Sequence, residues 1–207
     1  MKNWVKISLI SIGIFGIIIL MFFIYVSSMF WDIGSSDETY NAASLIENFN
    51  NKQTEIYNAK KYFKSIVPKY KEVEIEFEGD KIERLVIMPQ DTGRGSNTAV
   101  EFQDWNIPIK SAKADSLLKV LGWSDNSLQT LRNKLDDANC ISITSAEPSQ
   151  IGFKRSGMGM YYFNVFDKPI PDSLKSRYND SCTYIYANKH LVLEYGGGAI
   201  GPQCFGK

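Results

Sequence analysis

Histidine is almost missing from this sequence: His190 stands alone among 207 residues. Ser-His-Asp and Cys-His catalysis both need an imidazole with an orienting partner. Both would rest on this one side chain, which sits beside Lys189 at a predicted hairpin turn, where an exposed turn position is the simpler role. Cysteine is scarce too. Cys140, Cys182 and Cys204 lie far apart in the chain, and with one histidine they do not make the clustered ligand set of a zinc site. Positive charge is in no excess, with Lys+Arg 23 against Asp+Glu 23. That balance lacks the basic face a nucleic-acid binder needs, and no polybasic cluster is present to read anionic lipid. Internal repeats and low-complexity tracts are absent, which excludes repeat architectures. No metal, cofactor or nucleic-acid partner is expected.

What the sequence does contain begins with a long apolar run. Ile7 to Val26 carries no charged residue. At about 1.5 Å per residue, twenty helical residues span about 30 Å, the thickness of a hydrocarbon core. Trp4 on one side and Tyr25, Phe30 and Trp31 on the other suit the two interfaces. We read this segment as a single-pass signal-anchor. The alternative is a cleaved signal peptide, since Lys2 and Lys6 make a positive n-region and Val26-Ser27-Ser28 resembles a cleavage site. The run is longer than the usual apolar region of such peptides, which favours the anchor. Lys2 and Lys6 precede it, and Asp32, Asp37 and Glu38 follow it. The positive-inside bias therefore places the N-terminus in the cytoplasm and the remainder outside.

The rest of the chain has ordinary globular composition, with 44% hydrophobic and 22% charged residues, and its length fits one domain. Three stretches are expected: 1–31 as cytoplasmic tip and anchor, 32–68 as a polar break and a long helix, and 69–207 as a sheet domain continuous with that helix. From Asp37 to about Val67 there is neither Pro nor Gly. Ala42, Ile46, Phe49, Ile56, Phe63 and Val67 form one apolar stripe, interrupted by Gln53 and Lys60, with Ser36 or Asp37 as cap. Lys71 to Glu78 alternates, with Val73, Ile75 and Phe77 opposite Glu72, Glu74, Glu76 and Glu78. Gly79-Asp80 turns into a second strand over Ile82–Met88. A third strand is expected over Ala99–Ile109. Two short helices follow, Lys113–Leu121 ended by Gly122, and a second capped by Ser124. Strands over Cys140–Thr144, Ile151–Lys154, Met160–Phe166, Cys182–Ala187 and Leu191–Tyr195 complete the chain, with Lys168–Asp180 as a loop. Strands joined by tight turns are antiparallel, so the fold class is α+β with a mainly antiparallel sheet.

Outside the cytoplasm a disulfide can persist. Three cysteines allow three single pairings and leave one over. Cys182–Cys204 is the favoured pair, because the last hairpin returns the chain beside Cys182 and Gly196–Gly201 can deliver Cys204 to it. The four glutamates of the first strand read as a solvated face, with Lys81 or Arg84 as possible pairing partners, rather than a cation site. Asp91-Thr92-Gly93 occurs once and lacks the second aspartate of an aspartic protease. Gly93-Arg94-Gly95 is a weak anion nest. Arg94, Trp105 and Arg155 are the candidate ligand contacts, and no catalytic set is proposed.

The order of spanning helix, long amphipathic helix, antiparallel sheet and C-terminal cysteine pair resembles the type IV pilin layout. The family's leader motif, with a glutamate at the fifth mature position, is not matched. The apolar run holds Gly13-Ile14-Phe15-Gly16-Ile17 and no glutamate, so the resemblance is of layout. Three function classes follow: a membrane-tethered, non-catalytic binding module with a protein partner in the envelope, a pilin-like assembly subunit, and a carboxylate-based envelope hydrolase. The absence of a catalytic constellation favours the first.

Overall fold

The computed structural model describes residues 19–25, 39–90, 100–197 and 201–205. Two compact units divide at residue 38, Met1–Glu38 and Thr39–Lys207. In the first, residues 19–25 are helical (α1), and Leu20, Met21, Phe22, Phe23, Ile24 and Tyr25 are each more than half exposed. Among the described residues no helix is long and apolar enough to cross a membrane. The rest of the expected span Ile7–Val26, the cap positions Ser36 and Asp37, and Arg94 lie outside the described residues.

The second unit is α+β, with one eight-stranded sheet and its four longer helices on one face. The expected long helix is two helices, α2 (Ala42–Asn51) and α3 (Gln53–Ile66). It starts later than the absence of Pro and Gly implied, because the Asn41 side chain accepts from the Ser44 N–H and fixes the first turn there. It breaks at Lys52, whose φ of −119° leaves the helical region while its N–H still bonds to the Asn48 and Phe49 carbonyls. Leu45, Phe49, Ile56, Ala59 and Phe63 are fully buried. The apolar stripe is therefore spent on the domain's own core.

Strand β1 (Lys71–Glu78) turns at Gly79, φ +52°, into β2 (Lys81–Pro89), and β3 (Phe102–Pro108) follows. Ser111 caps α4 (Ala112–Leu121), Gly122 ends it at φ +67°, and Ser124 caps α5 (Asp125–Asp137). Next come β4 (Ser142–Thr144), β5 (Ser149–Ser156), β6 (Gly159–Val165), a four-residue helix α6 (Asp172–Lys175), β7 (Tyr184–Asn188) and β8 (Leu191–Gly196). The sheet order is β3-β2-β1-β4-β5-β6-β8-β7, antiparallel throughout. Helix α6 falls in the stretch expected to be loop.

The core lies between the helices and one sheet face. Val73, Ile75, Ile151, Phe163 and Leu193 meet Phe49, Phe63, Leu118 and Leu131 there. Phe49 packs edge-on against Phe163 at 5.4 Å, and Phe63 against Trp123 at 6.0 Å. The Trp123 indole N–H donates to the Ile66 carbonyl at 2.7 Å and closes the C-terminal turn of α3 onto α5's approach. The sulfurs of Cys182 and Cys204 lie 2.00 Å apart, a disulfide separation.

Candidate functional site on the uncovered sheet face

Strand alternation puts the other half of the sheet's side chains on the face away from the helices. Register carries one row across all eight strands: Trp105, Arg84, Glu76, Ser142, Gly152, Tyr162, Glu194 and Tyr184. Beside it run Glu74, Thr144, Gln150, Asn164, Val192 and Tyr186. The face is largely polar, where the opposite one is apolar and includes Phe77, Phe153, Tyr161 and Phe163.

At its centre Gly152 leaves a gap that Ser142 and Met160 fill, with the Ser142 hydroxyl 3.4 Å from the Met160 sulfur. On one side lie two ion pairs. Arg155 grips Glu76 through Nε and Nη2 at 2.6 and 2.7 Å, and Arg84 donates to Glu74 at 2.8 Å. Glu76 is only 3% exposed, so this carboxylate is not the solvated one its alternation implied. Burial pushes the Glu74 carboxyl above the usual glutamate range, Arg84 draws it back and Glu76 raises it further. Burial and then the charges of Glu74, Glu76 and Glu194 push the Tyr162 phenol up to about 12.

On the other side the face is concave. A groove of about 470 Å³ is lined by Glu72, Glu74, Met88, Thr144, Gln150, Asn164, Glu194 and Tyr184, with Arg177 and Tyr178 contributed by the segment after α6. Phe166, Tyr178 and Tyr184 meet edge to face at 5.4 and 5.9 Å, which fixes that segment as a wall. The Asn179 side chain accepts from the Tyr186 N–H and Asp180 accepts from those of Cys182 and Tyr184, so the wall also borders the edge strand β7. On the floor, Glu194 Oε2 accepts from Gln150 Nε2 and Asn164 Nδ2, both at 2.8 Å. An ionised carboxylate only accepts, so this contact fixes which way each amide faces.

The structure does not bring the expected site residues together: Trp105, 51% exposed, is on the edge strand β3, and Arg155 is on β5, four strand spacings away and committed to Glu76. His190 sits at the turn before β8 with its Nδ1 3.1 Å from the Phe166 carbonyl. Burial pushes the Cys140 thiol up to about 12, so it is a small hydrophobe and not a nucleophile. Glu194, Gln150 and Asn164 were not singled out by the sequence. The available signal was a lone carboxylate inside the apolar strand Leu191–Tyr195; its two amides come from strands that only the sheet order brings beside it. Among the described residues no group of three or more His, Cys, Asp or Glu side chains could hold a metal ion. No family model matches the chain, and no curated protein or solved structure matches it.

Proposed function

We propose that this chain is a single-pass, membrane-anchored extracytoplasmic protein whose domain is a non-catalytic binding module, with the uncovered sheet face as its binding surface. The observation that carries the reading is the groove, whose floor side chains are fixed by one another and whose wall is aromatic. Fixed polar groups in a concave, partly aromatic site are the ordinary equipment of recognition. The membrane attachment rests on the uncharged run Ile7–Val26 and on the exposed apolar side chains of α1.

The competing classes have less behind them. A hydrolase of the carboxylate type needs two carboxyls about 5–10 Å apart. Glu72 and Glu74 line the groove two residues apart on β1, about 6.8 Å, but Glu74 is already paired with Arg84, and Glu194 sits four strand spacings from it, about 19 Å between backbones. An assembly subunit needs an unspent apolar seam on the helix after the anchor, and that of α2 and α3 is buried.

A photo-crosslinking amino acid at Met88, on the groove, tests the reading in native membranes. A discrete protein adduct is expected at Met88, with none from the same group at Val120, which is exposed on α4. Identical labelling at both positions, or none at Met88, would count against the sheet face as a binding surface.

A further inference from the structure

Both edges of the sheet are blunted against an added strand. On β7 the Asn179 and Asp180 side chains take the Tyr186 and Tyr184 N–H groups. On β3 the Asp104 carboxylate takes the Trp105 N–H, Asn106 bends the backbone at φ +54°, and Pro108 has no N–H to give. A peptide that binds by extending the sheet finds no open row of backbone groups there. Recognition is left to side chains, and those of the groove offer a mixture. Glu194 is engaged by Gln150, Asn164 and the Tyr184 hydroxyl. Arg177 and Glu72 are not engaged: both line the groove, and among the described residues neither has an ion-pair or side-chain hydrogen-bond partner. The Thr144 hydroxyl accepts from the Gln150 N–H and keeps its own hydrogen to give.

A guanidinium only donates and a carboxylate only accepts. A ligand that only donates leaves Arg177 unmatched, and one that only accepts leaves Glu72 unmatched. A hydroxyl does both. Tyr178 and Tyr184 add rings that hold each other edge to face, and such a ring suits the C–H side of a sugar. The volume of about 470 Å³ lies within the range of small-ligand sites, about 300–1,000 Å³. Carboxylates outnumber the one arginine along the walls, which repels an acidic sugar. We infer that the groove receives a neutral oligosaccharide, with Arg177 and Glu72 taking its hydroxyls and the tyrosine rings as its platform. This rests on the binding-module reading above and names the ligand's chemistry.

An array of neutral and acidic oligosaccharides, probed with the full chain in a detergent that has no sugar headgroup, tests it. Neutral members should bind in preference to acidic ones. Arg177→Ala should weaken binding to the strongest neutral member at least about tenfold. Lys189→Ala removes the same charge from the exposed turn between β7 and β8 and should change that binding less than about twofold. Side-chain amide resonances of Gln150 and Asn164 should shift as the same oligosaccharide is added, which reads the site in the unsubstituted protein. No neutral member bound, a preference for acidic ones, equal weakening by the two substitutions, or unmoved resonances would overturn the inference. The Met88 crosslink separates the sources. An adduct lost when the membranes are first oxidised with periodate, which cleaves vicinal diols, would put the glycan on a protein; array binding without an adduct would put it on a polysaccharide. An adduct that survives periodate with the array blank would sink the glycan and leave the binding module; absence of both would remove the two together.

Discussion

Gly152 sets how closely β4, β5 and β6 approach on the uncovered face. A Cβ built there would lie 2.1 Å from Ser142 Oγ and 2.2 Å from Met160 Sδ. Both are side-chain atoms, and the methionine can move, so the strain is one of overpacking and not of backbone. Gly152→Ala should therefore destabilise the domain by about 1–3 kcal/mol, read as a lower urea midpoint at unchanged slope. An unaltered midpoint would mean that Met160 has no fixed place over the gap. The sequence marks Gly152 only as one residue of a strand, since its neighbours are 10 and 8 positions away. The same limit explains Glu76. Its alternation was plain, but Arg155, which makes its burial tolerable, is 79 residues on. Solvation at a strand face depends on which strand lies next to it, and local pattern does not carry that.

Among the elements, β1, β2 and their Gly79-Asp80 turn were legible because alternation and turn chemistry are local signals. The caps of α4 and α5 were legible for the same reason. Helix α3 was less so, because Lys60 interrupts its apolar stripe. The structure gives the lysine a role: it is 3% exposed, and its ammonium bonds to the Val165 carbonyl and reaches Asp167 at 2.8 Å and Glu147 at 3.6 Å. Lys64, one turn on, shares both carboxylates. The cluster pins α3 to the ends of the loops flanking β5 and β6, and a buried ammonium is tolerated only with such partners. Burial raises the Asp167 carboxyl, but bonds from Lys60 and Lys64 outweigh it and hold the group well below the usual aspartate range. A depressed carboxylate contributes stability above its unfolded pKa of about 3.9 and loses it as pH falls below that. The Asp167 side chain is 54% exposed, so solvent screening trims the gain, and Asp167→Asn should cost about 0.5–1 kcal/mol at pH 7. The gap to the unsubstituted protein should hold down to about pH 4 and shrink below it. Chemical denaturation across pH 2–7 checks this; a constant gap, or one that widens in acid, would show that the ion pairs do not support the helix.

At the scale of the whole molecule, the apolar run and the cysteines bear on one question, the compartment of the folded unit. Fold class was readable from element order, whereas the groove was not, because its floor and wall come from β1, β2, β4, β5, β6, β7, β8 and the segment after α6. Cys182 and Cys204 are 22 residues apart, and beside β8 the Gln203 N–H donates to the Tyr195 carbonyl while Phe205, next to Cys204, packs against Tyr161 and Tyr195. The tail therefore has packing of its own that holds the two cysteines together, and a bridge adds to it by restricting the unfolded chain, by about 3 kcal/mol in the entropy model. Such a bond survives outside the cytoplasm and is rarely kept within it. The proposed anchoring with the domain outside consequently makes a joint prediction about the protein in a membrane fraction of its source cells. The full-length chain should stay in the pellet after alkaline carbonate extraction, and non-reducing mass spectrometry of that pellet should join the Cys182 and Cys204 peptides while Cys140 alkylates only on unfolding. A shortened form in the supernatant with the peptides still joined would mean that the run is cleaved and the domain released. Free thiols at both positions in the pelleted protein would place the domain on the reducing side and reverse the orientation drawn from Lys2 and Lys6.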